Sequence, residues 1–463
     1  MKNDSTICAI ATSPGNGAIA VIRLSGPEAI SITETLFKSI IKGKKLHLQK
    51  ANTIHFGSMI LNETLIDEVL VAVFLGPHSY TGEDVVEISC HGSKYIQQQI
   101  LFALTFLGAK MAEPGEYTMR AFMNGKMDLS QAEAVADLIS SESAAAHKMA
   151  INQMRGGFSK EISILREQLV SFSSLIELEL DFSEEDVEFA NRDALKQLIS
   201  HIKDIIEKLV KSFALGNVIK NGVPVAIVGR PNVGKSTLLN ILLKEDKAIV
   251  SEIAGTTRDT IEDVITIEGI QFRFTDTAGI RKTTDTIESL GIDRTFAKIT
   301  QSRIILLLVD ATQTESDIEK QIEEINPAID QELIIVYNKI DLYDKQSASN
   351  ITSTLFSQSH PVVNLSAKLQ LHTDKLISLL LNTIENKDFS QTDVVVSNAR
   401  HYEALNKALE ASVRVSDGLS SSLTTDFIAM DIRAILHFLG EITGEISTDE
   451  ILGSIFSKFC IGK

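Results

Sequence analysis

The octapeptide GRPNVGKS (229–236) joins an apolar run, VPVAIV (223–228), to a helix-like run, TLLNILL. Strand, Gly-rich loop and helix, in that order, are what a phosphate-binding loop requires. Glycines let backbone N–H groups turn onto phosphate oxygens, the Lys235 ammonium reaches the β and γ phosphates, and the Ser236 hydroxyl is placed to ligate Mg2+. The loop predicts nucleotide contacts from Asn232, Val233, Gly234, Lys235, Ser236 and Thr237.

Further groups follow in order. GTTRD (255–259) offers Thr256 and Thr257 in a loop able to close over the γ-phosphate and Mg2+. DTAG (276–279) comes after QFRFT; Asp276 suits a direct or outer-sphere Mg2+ role, and Thr277, Ala278 and Gly279 continue the turn. NKID (338–341) follows ELIIVY and supplies Asn338, Lys339 and Asp341. A carboxylate there accepts from both the ring N–H and the exocyclic amine of guanine, which adenine does not offer together. Ser366 and Ala367, after PVVNL, would set a backbone N–H at the guanine carbonyl. Five such elements at compatible spacing describe a Ras-type GTPase domain. Two departures stand out. Ile280 occupies the position of the usual water-orienting Gln, and nothing marks Arg230, Arg258 or Arg281 as an arginine finger rather than a solvated side chain.

Elements must hold these groups in place. Residues 222 to about 385 alternate strand-like and helical runs, as a parallel α/β sheet requires, and IILLLV (304–309) reads as a buried strand. Residues 1 to about 120 show strands at 18–24, 65–75 and 84–91, with helices at 27–41 and 93–107. The pattern is helical from Leu129, with a capping box at Ser130–Glu133, to about Phe213, and again from Arg400. Ile428, Ile432, Ile435, Leu439 and Ile442 form one helical stripe. A second box at Ser447–Glu450 starts a helix that aligns Ile451, Ile455 and Phe459 with Leu452 and Phe456. Cys460 is then expected at the end of a packed helix, where the negative end of the helix dipole disfavours a thiolate. Gly462 and Lys463 fit a prenylation box poorly. The two helical stretches flank the α/β segment, so that segment reads as an insertion into one helical domain.

The formal net charge of −17 argues against broad sequence-independent nucleic-acid binding, though not against a local basic patch. Three widely spaced cysteines give neither a disulfide framework nor a zinc pattern. Without a signal-like or membrane-spanning run, the expected location is the cytoplasm.

GRPNVGKS, GTTRD, DTAG, NKID, PGEYTMRAFMNGKMDL (114–129) and the terminal CIGK together resemble the MnmE (TrmE) family of tRNA-modification GTPases over nearly the whole chain. The resemblance implies α/β plus all-α architecture: an α+β tetrahydrofolate-binding and dimerisation domain at 1–120, a helical domain at 121–218 and 386–463, and an inserted Ras-like P-loop G domain at 219–385. It implies potassium-dependent GTP hydrolysis, with nucleotide contacts from Ser251, Glu252, Ile253, Ala254 and Gly255, K+ held by Asn232, Ser251, Ile253 and Thr256, and Mg2+ by Ser236 and Thr257. A cation beside the phosphates would do the work of an arginine finger. Glu288, in TIESLGI, would orient the attacking water, unless it is only a surface residue at a helix start.

The resemblance also places a 5-formyl-tetrahydrofolate or related folate on Arg23, Glu87, Lys126 and Lys463, positions that would otherwise read as surface ion pairs. Cys460 becomes a candidate catalytic thiol whose chemistry stays open. The implied reaction installs a 5-carboxymethylaminomethyl or 5-aminomethyl group on the wobble uridine of certain tRNAs. The implied partners are a second copy of the chain and MnmG, an FAD protein; no dinucleotide fingerprint occurs here, so the flavin is expected on MnmG, which would also hold most of the tRNA. A non-catalytic GTP switch in ribosome assembly is the competing reading, which the folate motifs and the CIGK end disfavour.

Overall fold

The computed structural model describes residues 5–181, 191–245, 263–276, 299–310, 313–328, 331–342, 360–385, 394–421 and 424–462. Two units emerge. One comprises Met1–Ile139, Ile151–Lys203 and Lys407–Lys463; the other comprises Ser140–Ala150 and Asp204–Asn406.

The first unit is built on a seven-stranded sheet of β1 (Ile7–Ile10), β2 (Ile19–Ser25), β3 (Phe37–Ser39), β4 (Thr53–Leu61), β5 (Thr64–Phe74), β6 (Val85–His91) and β7 (Lys110–Met111), in the order β3-β4-β5-β6-β2-β1-β7. Only the β1–β7 pair is parallel. Alternation sends Ile22, Leu24, Val71, Val73, Val86 and Ile88 to one face. There they pack with Ile32 of α1 (Ala29–Leu36) and with Ile100 and Leu104 of α2 (Lys94–Phe106). Directly paired residues share a face. The register therefore lines up Ile54, Ala72, Glu87, Arg23 and Ala9 as one row across the opposite face. At the β1 end, Tyr117 of α3 (Glu116–Met123) packs on Ile7 and Ala9.

The expected helix at 27–41 stops at Leu36, because Phe37–Ser39 pairs with Met59–Gly57 instead. Strands β1 and β4 were not expected. In β4 the buried positions are His55, Gly57 and Met59, while Ile54 and Phe56 face outward, which inverts the usual strand signal.

The helical part of this unit contains α4 (Leu129–Ile139), followed along the chain by α5 (Ala144–Met154), α6 (Gly157–Asp181) and α7 (Arg192–Asn221). The cap of α4 is Asp128: its carboxylate accepts from Gln131 N–H, and Gln131 accepts from Asp128 N–H, both at 2.9 Å. Ser130 lies inside the helix and is fully buried, so the box stands two residues earlier than the expected Ser130.

The second unit is a six-stranded sheet in the order β13-β12-β11-β8-β10-β9. Its strands are β8 (Val223–Val228), β9 (Asp263–Ile267), β10 (Ile270–Asp276), β11 (Ile304–Asp310), β12 (Glu332–Asn338) and β13 (Val362–Asn364). All pairs are parallel except β9–β10. β11 is buried on both faces, which explains its unbroken apolar run: Ile304, Leu306 and Leu308 enter one core and Ile305, Leu307 and Val309 the other. Helices α8 (Lys235–Glu245), α9 (Glu315–Ile325) and α10 (Thr373–Glu385) connect or follow the strands. Along the chain after them come α11 (Ala399–Ser420), which begins in this unit and continues into the first, and α12 (Thr425–Thr443) and α13 (Asp449–Phe456), which belong to the first unit. All five isoleucines and leucines of the expected stripe on α12 are buried.

Candidate functional sites

In the second unit the phosphate loop leaves the C-terminal end of β8 and enters α8, so the first-turn N–H groups of that helix point where phosphate oxygens would lie. Asn338, at the end of β12, ties the motifs together. Its Nδ2 donates to the Val233 carbonyl at 2.7 Å, and its Oδ1 accepts from Ala367 N–H at 2.9 Å. The phosphate loop, NKID and the Ser366–Ala367 turn thus meet on one buried side chain. Gly234 makes the approach possible. Its φ is +103°, and an added Cβ would lie 2.3 Å from Asn338 Nδ2. Asp341 pairs with the Ser366 hydroxyl in a short contact. Lys339 Nζ sits 2.7 Å from Asp310 at the end of β11, an anchor that the motifs did not reveal.

Lys235 is mostly buried and donates to the Gly229 and Arg230 carbonyls at 2.6 and 3.0 Å. Arg230, left open above between an arginine finger and a solvated side chain, is partly exposed and paired with Asp317 at 3.1 Å. That pair and the Thr314 hydroxyl hold the Asp317 carboxyl below its ordinary range, with the Thr314 hydrogen bond the larger cause. Asn232, on the loop, and Ser236, in the first turn of α8, are exposed, and Asn232 adopts a φ of +65°. Their amide and hydroxyl oxygens are hard donors of the kind Mg2+ and K+ take. Ser251, Glu252, Ile253, Ala254, Gly255, Thr256, Thr257, Thr277, Ala278, Gly279 and Glu288 lie outside the described residues, as does the side chain of Asp276.

In the first unit the structure brings Arg23 and Glu87 together. They are cross-strand partners, with Arg23 Nε at 2.9 Å and Nη2 at 2.8 Å from Glu87 Oε1. The Arg23 guanidinium also lies 5.7 Å from the ring centres of Tyr80 and Tyr117. Burial pushes both phenols above their ordinary range. Tyr117 Oη donates to the Arg23 carbonyl at 2.7 Å. Lys126 has a different neighbour: its Nζ donates to the Pro77 carbonyl at 2.9 Å, on the loop that carries Tyr80. Beside this cluster, Arg120 is almost wholly buried between Glu116, at 2.7 Å, and Glu83, at 3.2 Å. Tyr117 and Arg120 stand in the quoted run PGEYTMRAFMNGKMDL, but their roles as ring and anchor needed the fold.

The C-terminal segment reaches the same cluster. Helix α13 is capped by Thr448, whose hydroxyl accepts from Ile451 N–H at 3.3 Å, one residue after the expected Ser447. The helix ends at Phe456, so Cys460 stands in the turn beyond it and not at its last residue; the dipole argument does not reach it. Phe459 is buried against Phe456, as the apolar stripe required. Gly462, at φ +92°, presses against Ile10: an added Cβ would sit 2.2 Å from that carbonyl. The Gly462 carbonyl lies 3.4 Å from Arg23 Nη1. Burial pushes Cys8 and Cys90 up to about 11, whereas Cys460 is exposed, two residues from that contact. Lys463 lies outside the described residues.

Two family models match the chain. One, described as the MnmE helical domain, covers residues 129–460; the other, described as the GTP-binding protein TrmE N-terminus, covers residues 6–126. The chain is 56% identical over 465 residues to the tRNA modification GTPase MnmE of Bacteroides thetaiotaomicron, covering 100% of both. It is 54% identical over 467 residues to that of Flavobacterium johnsoniae, again covering 100% of both.

Proposed function

The chain belongs to the MnmE family of tRNA-modification GTPases, and from that premise we propose that it hydrolyses GTP in a potassium-dependent way and, with MnmG, installs a 5-carboxymethylaminomethyl or 5-aminomethyl group on the wobble uridine of certain tRNAs. The observation that carries the nucleotide half is the Asn338 bridge from Val233 to Ala367, which locks the base-reading turns onto the phosphate loop. Lys235 would release the loop carbonyls and turn to the β and γ phosphates, with Thr237, Lys339 and Asp341 completing the pocket. Bound Mg2+, on Ser236 and Thr257, would offset phosphate charge. Potassium, on Asn232, Ser251, Ile253 and Thr256, would supply the positive charge that an arginine finger supplies elsewhere. Arg230 is already engaged by Asp317, which supports that reading. Glu288 would orient the water. Equal GTP turnover in K+ and Na+ would remove the potassium assignment.

The folate half rests on Arg23. A ligand carboxylate would compete with Glu87 for the guanidinium, and Glu87, once released, would accept from the amine edge of a pterin. Tyr80 and Tyr117 would flank the ligand, with Lys126 and Lys463 adding positive charge and Cys460 opening onto the same pocket. The exposed Ile54, Phe56 and Leu70 continue the face that bears Glu87, which supports a homodimer through residues 1–120 with folate at its interface. Residues 121–218 and 386–463 would form the helical domain around a G domain at 219–385. No described helix is long and apolar enough to cross a membrane. Loss of formyl-tetrahydrofolate binding in Arg23→Ala, with GTP turnover intact, is the expected result; undiminished binding would show the site to be misassigned.

A further inference from the structure

Between Glu34 and Glu63 no Asp or Glu occurs, although the chain as a whole carries a net charge of −17. That interval holds Lys38, Lys42, Lys44, Lys45 and Lys50. Lys38 lies on β3, the edge strand of the first unit's sheet, and the others follow on the segment leading to β4. Edge strands commonly carry lysine to block pairing with other chains. That accounts for Lys38 but not for the four lysines beyond the strand.

The segment is held in shape. Ile41 N–H donates to Ser39 Oγ at 3.1 Å, Lys44 N–H to the Ile41 carbonyl at 3.2 Å, and Gln49 Nε2 to the Lys45 carbonyl at 2.6 Å. Leu46 is buried and pins the segment to the core. Glu34 is spent on His47, at 2.5 Å, and more loosely on Lys45, at 3.7 Å. Among the described residues, Lys38, Lys42, Lys44 and Lys50 have no carboxylate within ion-pair distance.

We infer that this lysine surface is a docking site for the phosphate backbone of the tRNA substrate. The inference rests on the tRNA reading above and adds a place on this chain where the polyanion lies. An acidic protein that touches RNA must concentrate its positive charge locally, because affinity comes from counterions released by individual Lys and Arg contacts. The interval carries lysine and neither arginine nor tryptophan or tyrosine. Lysine meets phosphate as a point charge, without the planar fork that reads base edges. The contact is therefore positional and blind to sequence. Ile40, Ile41 and Leu48 are exposed on the same segment, so an anionic lipid surface is the rival occupant.

The test is filter binding of an unmodified tRNA transcript to the full chain across a KCl series. A Lys42→Gln, Lys44→Gln, Lys50→Gln variant should bind on the order of tenfold more weakly, with the log–log salt slope reduced by about one for each lysine engaged. The matching Lys→Arg variant should bind as wild type, and GTP turnover should be unchanged in both. Wild-type affinity and slope in the Gln variant would overturn the inference. So would wild-type protein that fails to bind tRNA, or that prefers phosphatidylserine-containing vesicles to it. Wobble-uridine analysis of cells carrying the Gln variant separates the two levels: intact modification with unchanged binding defeats the docking surface and leaves the tRNA function standing.

Discussion

Asn338 Nδ2 lies 2.7 Å from the Val233 carbonyl, so a residue of NKID is hydrogen-bonded to the GRPNVGKS loop across 105 positions of sequence. Because its Oδ1 also takes Ala367 N–H, Asn338→Ala leaves two buried backbone groups short of a partner. Each such loss costs roughly 1–3 kcal/mol. Titration with a fluorescent GDP analogue should show affinity lowered on the order of 10- to 100-fold. An unchanged Kd would mean that the bridge does not order the pocket.

The tail carries a second prediction. Gly462→Ala places a Cβ where the Ile10 carbonyl stands, in a backbone region that disfavours L side chains. The terminal segment should lift from β1 and lose the contact with Arg23. Formyl-tetrahydrofolate affinity and wobble modification should fall together, while GTP turnover by the second unit persists. Folate binding at wild-type strength in this variant would exclude the tail from the site.

Arg120 is a structural matter. Its guanidinium is 3% exposed and offsets Glu116 and Glu83. Arg120→Ala strands two poorly solvated carboxylates, a change that typically costs about 3–5 kcal/mol. Urea unfolding followed on the first unit should register it. A shift under about 1 kcal/mol would show that water replaces the guanidinium.

His55 gives a pH dependence. It is 4% exposed, its Nδ1 has no hydrogen-bond partner among the described residues, and burial, with a smaller contribution from Lys44, holds it below its ordinary value. The unfolded chain therefore binds a proton, near its ordinary value of about 6.5, that the folded chain refuses until lower pH. The neutral imidazole favours the fold above about pH 6.5, and stability falls as pH drops below it, by at most about 1.4 kcal/mol per pH unit from this one group. His55→Gln should flatten the acid limb of a stability–pH curve. A limb of the same slope would assign the effect elsewhere.

The meeting of GRPNVGKS, NKID and the Ser366–Ala367 turn was legible because these motifs are local: each is a few residues at a strand end, and hydrophobic runs such as Ile304–Val309 announce the strands that carry them. The Arg23 cluster was legible only in part. Arg23 and Glu87 could be named singly, but their direct pairing depends on the β2–β6 register, which no short stretch encodes. Strand β4 escaped because its inward positions hold His55 and Gly57. Gly57 is required there, since a Cβ would meet the Lys38 carbonyl at 2.4 Å on the neighbouring strand β3. The cap of α4 was misplaced because Asp128 and Ser130 are both good capping residues, and only burial of Ser130 distinguishes them.

The tRNA-modification function is decided by mass analysis of wobble uridines in tRNA from cells lacking this chain, with and without its return on a plasmid. On the proposed function, the 5-carboxymethylaminomethyl and 5-aminomethyl nucleosides disappear on deletion and return with the wild-type chain but not with Arg23→Ala. Wobble uridines that stay modified in the deletion strain would contradict it.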